Sequence, residues 1–243
     1  WACHFTFLQP DQVRNKMKKT AIIVAGGSGT RMGADLPKQF LRIEGKPVFL
    51  YSIDAFLQAY EDIRIILVMS SSYCAMAQAI LEEFHYPASI EIVEGGDTRF
   101  HSVKNGLAMA SGDSLIFVHD AVRCLATPAL IRRCGDAAAK AGSAIPVIPV
   151  RDSIRRNNDA SSRSAVVPRD GLYIVQTPQV FLGLVILKAF ELPYDAGFTD
   201  EASVLDASGQ HVNLVEGEED NIKITFPDDL AFAAWKLSLR KES

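Results

Sequence analysis

The sequence predicts an α/β fold, a doubly wound, mostly parallel sheet that carries a projecting β-hairpin arm. Three observations predict it. Unbroken runs of small and β-branched residues, such as Ala21-Ile22-Ile23-Val24-Ala25, lack polar alternation, as strands covered on both faces do. Through the first two thirds of the chain these runs alternate with segments of helical spacing, and repeated β-α-β units with short connections imply right-handed crossovers. The rhythm then breaks at Arg151, where a polar stretch with the turn cluster Asn157-Asn158-Asp159-Ala160-Ser161-Ser162 separates two short extended runs, the pattern of a hairpin.

Each element has its own signal. Residues 21–25 read as the first strand, and 47–60 as a helix with Val48, Tyr51, Ile53, Ala55, Phe56 and Ala59 at helical spacing. Residues 63–69 form a second buried strand, 73–84 a helix and 90–93 a short strand. The turn Glu94-Gly95-Gly96-Asp97-Thr98-Arg99 leads into a helix over 100–110, and 114–119 is a further buried strand with Asp120 at its end. Thr127-Pro128 opens a helix through Ala141, with Thr127 as N-cap and Pro128 in the first turn. Residues 143–150 make the next strand and 151–171 the arm. Beyond it, 173–176 is a strand, 182–192 a helix, and Thr199 the N-cap of a helix beginning Asp200-Glu201, carboxylates that the helix dipole favours. Residues 211–216 and 221–225 read as strands, and 227–240 as a closing helix packed on the sheet through Leu230, Phe232 and Trp235.

Composition bounds the function. At 243 residues, 48% hydrophobic and 22% charged, the chain can bury a full core, and its composition does not indicate disorder. The expected organisation is a single domain over 17–243, with 1–16 an extension outside it, because Met17-Lys18-Lys19-Thr20 reads as a natural start. A net charge of −4 argues against broad electrostatic binding of nucleic acid. No apolar run reaches membrane-spanning length. Cys3, Cys74, Cys124 and Cys134 show neither C-x-x-C nor metal-ligand spacing with the five histidines, so reduced core thiols and a cytoplasmic setting are expected.

Ligands of doubly wound sheets sit outside the carboxyl ends of the strands. There the chain places Gly26, Gly27 and Gly29, which let backbone N–H groups approach an anion, followed by Arg31 and Lys38. The loop is neither a P-loop, since no Gly-Lys-Ser/Thr occurs, nor a dinucleotide fingerprint, since Met32 stands where the last glycine should and Gly33 is one residue late. It looks built to hold a triphosphate. Asp120, an acidic residue ending a buried strand beside it, could hold Mg²⁺ directly or through water. The arm is too small to bury Ile154, Val166 and Val167 by itself, so it is expected to pack on a second copy of the chain.

Taken together, AGGSGTRMG…PKQF, VEGGDTRFHSV, VHDAVR, PVRDS, QTPQVF, TDEAS and VEGEEDNIKIT, in order from about residue 20 to about 238, resemble the 2-C-methyl-D-erythritol 4-phosphate cytidylyltransferases of non-mevalonate isoprenoid biosynthesis. The resemblance implies a Rossmann-like nucleotidyltransferase. Such an enzyme transfers CMP from CTP to 2-C-methyl-D-erythritol 4-phosphate through in-line attack of the acceptor phosphate on the α-phosphorus, with Mg²⁺ accompanying CTP. It implies that Arg31 and Lys38 stabilise the transition state, and that Ala25, Gly26, Gly96, Asp97 and Ser102 select the base. Asp120 would contact ribose, acceptor and metal. Arg123, Ser153, Arg169, Thr177, Thr199 and Lys223 would hold the acceptor, with Arg169 and Lys223 gripping its phosphate and Arg169 serving the neighbour's site in a homodimer joined by the 151–171 arm. Val122 and Cys124 stand where the family commonly has Ala and Pro, and Ser153 where it often has Thr. The mechanism needs no imidazole, so His101 and His119 read as structural. Two other activities compete: a cytidylyltransferase for ribitol 5-phosphate or a similar pentitol phosphate, and a catalytically silent nucleotide-sugar binding protein on the same fold.

Overall fold

The computed structural model describes residues 17–27, 36–157 and 163–241. Its framework is an eight-stranded sheet. The central strand β1 (Lys18–Ala25) pairs in parallel with β4 (Arg64–Met69) on one side and β6 (Ser114–Asp120) on the other. Strand β5 (Glu91–Glu94) extends the parallel array beyond β4. Beyond β6 the sheet becomes mixed. Strand β11 (Gln179–Leu182) runs antiparallel to both β6 and β7 (Ser143–Pro149), β10 (Tyr173–Val175) is antiparallel to β7, and β12 (Leu214–Glu216) is parallel to it.

Strand β11 is the main-sheet element that sequence reading overlooked. Its Val180 and Phe181 are fully buried, but the run is only four residues long and sits between a proline and a helix start. β10 and β11 follow one another along β7 with a two-residue change of register, since Val175 faces Val147 while Val180 faces Ala144. The interruption at 176–178 contains a cis Thr177–Pro178 peptide and delivers Gln176 and Thr177 to the carboxyl end of β6.

Helices cover both faces. Ala21, Ile23, Leu67 and Phe117 point to a layer formed by α1 (Val48–Ala59), α2 (Cys74–Glu83) and α4 (Pro128–Ala141). Ile22, Ile66, Val68, Ile116 and Val118 face α3 (Arg99–Leu107), α5 (Gly183–Ala189) and α6 (Glu201–Ala207). That two-residue alternation within each strand is what a sheet buried on both sides requires. The contact between α3 and β1 is close: a Cβ on Gly106 would stand 2.7 Å from Ile22 Cγ2. Thr127 caps α4 as its sequence predicts, its hydroxyl accepting from Leu130 N at 3.1 Å.

Three local expectations are corrected. The N-cap of α6 is Asp200, not Thr199: Asp200 accepts from Ser203 N at 2.9 Å and Ser203 closes a capping box. Residues 221–225 form no strand; the segment is held instead by Ile224 N donating to Val122 O at 3.0 Å. The closing helix α7 (Pro227–Lys241) does not rest on the main sheet, and Trp235 is 53% exposed. Its buried Ala233 and Leu237, backed by half-buried Leu230 and Phe232, pack on Val122, Leu125, Ile224 and Ile43. Ile43 belongs to β2 (Arg42–Ile43), which pairs with β3 (Lys46–Pro47) in a small hairpin.

The arm is a hairpin of β8 (Ile154–Asn157) and β9 (Ser164–Val167), paired Ile154 to Val167 through Asn157 to Ser164. Of its expected turn, 158–162 lie outside the described residues, as do 1–16.

Candidate active site

The carboxyl ends of β1, β5 and β6 open onto a cavity of about 500 Å³. Ala25, Gly26 and Gly27 enter it from the end of β1, Gly96 through Arg99 and Ser102 from the start of α3, and Asp120 from the end of β6. Lys38 and Gln39, in a short 3₁₀ turn over Lys38–Phe40, and Lys223 and Thr225 complete the wall. Ala25, Gly26, Gly27, Lys38, Gly96, Asp97, Ser102, Asp120 and Lys223, all expected from the sequence, therefore converge. Arg31 and Gly29 lie outside the described residues.

Close packing shapes the wall of the cavity at the start of α3. Ser102 Oγ accepts from Gly96 N at 3.1 Å. A Cβ on Gly95 would lie 2.9 Å from that hydroxyl, and one on Gly96 would lie 2.4 Å from His101 Cβ. Glycines are required here because a side chain at either position would collide with the first turn of α3. Thr98 caps α3, accepting from His101 N. Across the cavity Gln39 Nε2 donates to Ala25 O at 2.6 Å and to Gly27 O at 3.2 Å, tying the glycine loop to the turn that carries Lys38. Lys38 is buried and donates to Ile224 O at 2.7 Å.

The opposite wall is electrostatic. Asp120 is ringed by Lys223 Nζ at 2.8 Å, Arg99 Nε at 3.2 Å and Arg123 Nε at 3.8 Å. Burial would raise its carboxyl, but these cations outweigh that and hold it well below the usual carboxylate range, so it is ionised. Arg99 also forks onto Glu201, with Nη2 donating to Oε2 at 3.0 Å and Nη1 to Oε1. Burial opposes the charge on Arg99, yet Glu201 and Asp120 together push it further toward the protonated form. Burial raises Glu201, and Arg99 offsets part of that. His119 is fully buried and driven down to about 4, hence neutral near pH 7; its Nδ1 lies 3.0 Å from Thr177 Oγ1. Burial as a structural imidazole agrees with the sequence reading.

The remaining expected acceptor residues do not line the cavity within one chain. Arg123 lies behind Asp120, donating to Asn221 O at 2.8 Å and Val175 O at 3.3 Å. Thr177 Oγ1 accepts from Asp120 N at 3.1 Å, so it fixes the backbone of Asp120. Thr199 is exposed at the start of α6, and Ser153 and Arg169 are exposed at the base of the arm, where Arg169 Nη1 donates to Arg151 O.

Four contributors were missed by sequence reading: Gln39, Arg99, Glu201 and Asn221. Asn221 Nδ2 donates to Thr177 O at 2.9 Å and so ties the segment carrying Lys223 to β6's neighbour. All four lie inside the quoted motifs PKQF, GGDTR, TDEAS and DNIKIT. Their motif membership was visible, but their partners are remote in sequence.

Among the described residues no group of three or more His, Cys, Asp or Glu could by itself hold a metal ion. The cavity does offer the carboxylates of Asp97 and Asp120, which suits a magnesium ion held mainly by substrate phosphates with one or two carboxylates and water.

Comparison with known proteins agrees with this geometry. The family profile described as 2-C-methyl-D-erythritol 4-phosphate cytidylyltransferase matches residues 19–238. The protein of that name from Phocaeicola vulgatus is 44% identical over 217 residues, covering 89% of this chain and 98% of that one. The Bacteroides thetaiotaomicron protein of the same name is 44% identical over 214 residues, 88% and 97% of the two chains. The crystal structure of 4-diphosphocytidyl-2C-methyl-D-erythritol synthase from Anaerococcus prevotii superposes with a TM-score of 0.76 at 29% identity, covering 91% of this chain and 98% of that chain. The chain belongs to the 2-C-methyl-D-erythritol 4-phosphate cytidylyltransferase family.

Proposed function

We propose that the cavity bounded by Gly26, Lys38, Asp97, Asp120 and Lys223 is where this cytidylyltransferase transfers CMP from CTP to 2-C-methyl-D-erythritol 4-phosphate. An acceptor phosphate oxygen attacks the α-phosphorus of CTP. The new P–O bond forms in line with the bond to the β-phosphate, which breaks, and pyrophosphate leaves with the electron pair. The products are 4-diphosphocytidyl-2-C-methyl-D-erythritol and pyrophosphate. The work is positioning and charge neutralisation. Lys38 supplies a point charge and Arg31 a two-pronged donor at the α-phosphate. The carbonyls of Ala25 and Gly26, with Gly96, Asp97 and Ser102, read the cytosine. Lys223 meets the acceptor phosphate. Mg²⁺ bound with CTP would neutralise phosphate charge, and Asp120 would help hold it directly or through water.

The observation that carries this reading is the convergence of Lys38, Asp120 and Lys223, from three distant parts of the chain, on one cavity beside the glycine loop. Steady-state assays with CTP and either 2-C-methyl-D-erythritol 4-phosphate or ribitol 5-phosphate test it. A clear preference for the first is expected, and preference for the pentitol phosphate would overturn the acceptor assignment.

The same reading covers the assembly. A homodimer through the 151–171 arm is supported by apolar surface on the arm and on the strand just beyond it: Val166 is 68% exposed, and Tyr173 and Ile174 of β10 are 49% and 50% exposed. Arg169, exposed at the base of the arm, then grips the acceptor phosphate in the partner's site, with Arg123 as a second acceptor-site cation and Ser153, Thr177 and Thr199 lending hydroxyls. The functional unit is one domain over 17–243 with 151–171 as its arm and 1–16 outside it. Free Cys74, Cys124 and Cys134 support a reducing, cytoplasmic setting. No described helix is long and apolar enough to cross a membrane.

A further inference from the structure

The group Glu201–Arg99–Asp120–Lys223 joins the two halves of the site, and two of its members have no role in the transfer reaction as proposed. Glu201 is 1% exposed, does not line the cavity and ends on no substrate-facing surface; its carboxylate is spent on Arg99. Arg99 lines the cavity, yet its Nη groups fork onto Glu201 and its Nε points to Asp120. Asp120 in turn takes Lys223 at 2.8 Å. A buried carboxylate is costly unless its partner holds it in fixed geometry, and a planar guanidinium is the side chain able to grip one carboxylate with two prongs while presenting a third donor sideways to another.

We propose that Arg99, oriented by Glu201, is a positioning residue that sets the direction of the Asp120 carboxylate and thereby how tightly Lys223 is drawn onto it. The inference rests on the assignment of Asp120 and Lys223 to the acceptor side of the reaction. Were Arg99 to swing away, Asp120 would keep Arg123 at 3.8 Å and Lys223 at 2.8 Å, and Lys223 would bear more of its charge. Lys223 would then be less available to an incoming phosphate. The base slot would be little affected, because Ser102 holds Gly96, and Thr98 caps α3, through bonds that do not involve Arg99. The effect carried by Lys223 is therefore aimed at the acceptor, and CTP dissociation constants measured without Mg²⁺ separate it from any contact of Asp120 with the metal.

The test compares the wild-type chain with Glu201→Gln, Arg99→Lys and the double variant, reading kcat and KM for 2-C-methyl-D-erythritol 4-phosphate, CTP dissociation constants and melting temperatures. Wild-type turnover of that acceptor is the control for the underlying assignment, and its absence would sink that assignment rather than this one alone. Each single variant is expected to lose roughly 10- to 100-fold in kcat/KM for the acceptor, the scale of a misplacement of about 1 Å, while CTP affinity stays within about 3-fold. Because Glu201 acts through Arg99, the double variant is expected to lose no more than Arg99→Lys alone. Lowered melting temperature with unchanged acceptor kinetics, losses that multiply in the double variant, or a defect confined to CTP binding would each overturn the proposal. Should Glu201→Gln not fold, Glu201→Asp keeps the charge but shortens the reach; the same loss in acceptor kcat/KM is then expected, and unchanged acceptor kinetics would overturn the proposal.

Discussion

Gln39 is the residue whose loss separates the structural and functional consequences of the glycine loop most cleanly. Gln39 is 2% exposed, and its amide donates a buried bond of 2.6 Å to Ala25 O and a half-buried bond of 3.2 Å to Gly27 O. Replacing it by leucine keeps the volume and removes both donors. The buried bond is worth about 1–2 kcal/mol and the longer one about 0.5 kcal/mol, which gives a destabilisation near 2 kcal/mol. For a domain of this size that corresponds to a fall in Tm of roughly 4–8 °C. The functional effect is separate, because one of the released carbonyls, that of Ala25, is among those proposed to read cytosine. With the protein held well below its Tm, KM for CTP is expected to rise about 10-fold, an energy of about 1.4 kcal/mol, with kcat changed less. Gln39→Glu, which keeps the shape but turns acceptors toward both carbonyls, should do at least as much harm. The assays are differential scanning calorimetry and steady-state kinetics at saturating acceptor. A Gln39→Leu protein that melts lower but shows unchanged KM for CTP would refute the idea that this amide sets the base-reading geometry.

Other expectations follow from the same structure. Lys38→Ala should reduce turnover by roughly 10²–10³-fold while CTP affinity falls only modestly, as for loss of a cation acting mainly in the transition state; unchanged kcat would remove Lys38 from the chemistry. Mixing Lys38→Ala with Arg169→Ala protein should restore about a quarter of wild-type activity, since half the dimers are mixed and one site in each is intact; no recovery despite demonstrated mixed dimers would contradict arm exchange. Burial pushes the Cys124 and Cys134 thiols up to about 12, so iodoacetamide at pH 8 should leave both unmodified in the native protein and label both in urea. Equal labelling in the two states, mapped by mass spectrometry, would contradict their burial. Gly183→Ala should destabilise by about 1–3 kcal/mol, because its Cβ would meet the carbonyl oxygens of Ser111, Gly112 and Ser114 at 2.6, 2.8 and 2.9 Å; a neutral urea midpoint would show that the segment before β6 yields easily.

Where local pattern and burial agree, the sequence sufficed. The core strands and the Thr127 cap were legible from local pattern, and Gly26 and Asp120 were placed at the cavity because ligands of such sheets sit at strand ends; Gly96 and Ser102 entered only through the family resemblance. Legibility failed where tertiary partners decide. β11 is four residues long beside Pro178 and exists because β6 and β7 are there to pair with it. Residues 221–225 alternate like a strand, but Ile224 is drawn to Val122 and Asn221 to Thr177. Trp235 was expected inside because it is large and apolar, yet α7 buries its smaller Ala233 and Leu237. Asp200 displaced Thr199 as N-cap because the capping box needs Ser203 three residues on. Arg99 and Glu201 are 102 residues apart, and nothing in either motif alone announces that they meet.

The most direct test of the cavity assignment is a crystal structure of the protein with CTP and Mg²⁺. The cytosine should lie against Gly96, Asp97 and Ser102, with the α-phosphate within reach of Arg31 and Lys38 and with Lys38 Nζ released from the Ile224 carbonyl that it now meets at 2.7 Å. Triphosphate bound away from the glycine loop, or Lys38 still on Ile224 in a complex that turns over, would contradict it.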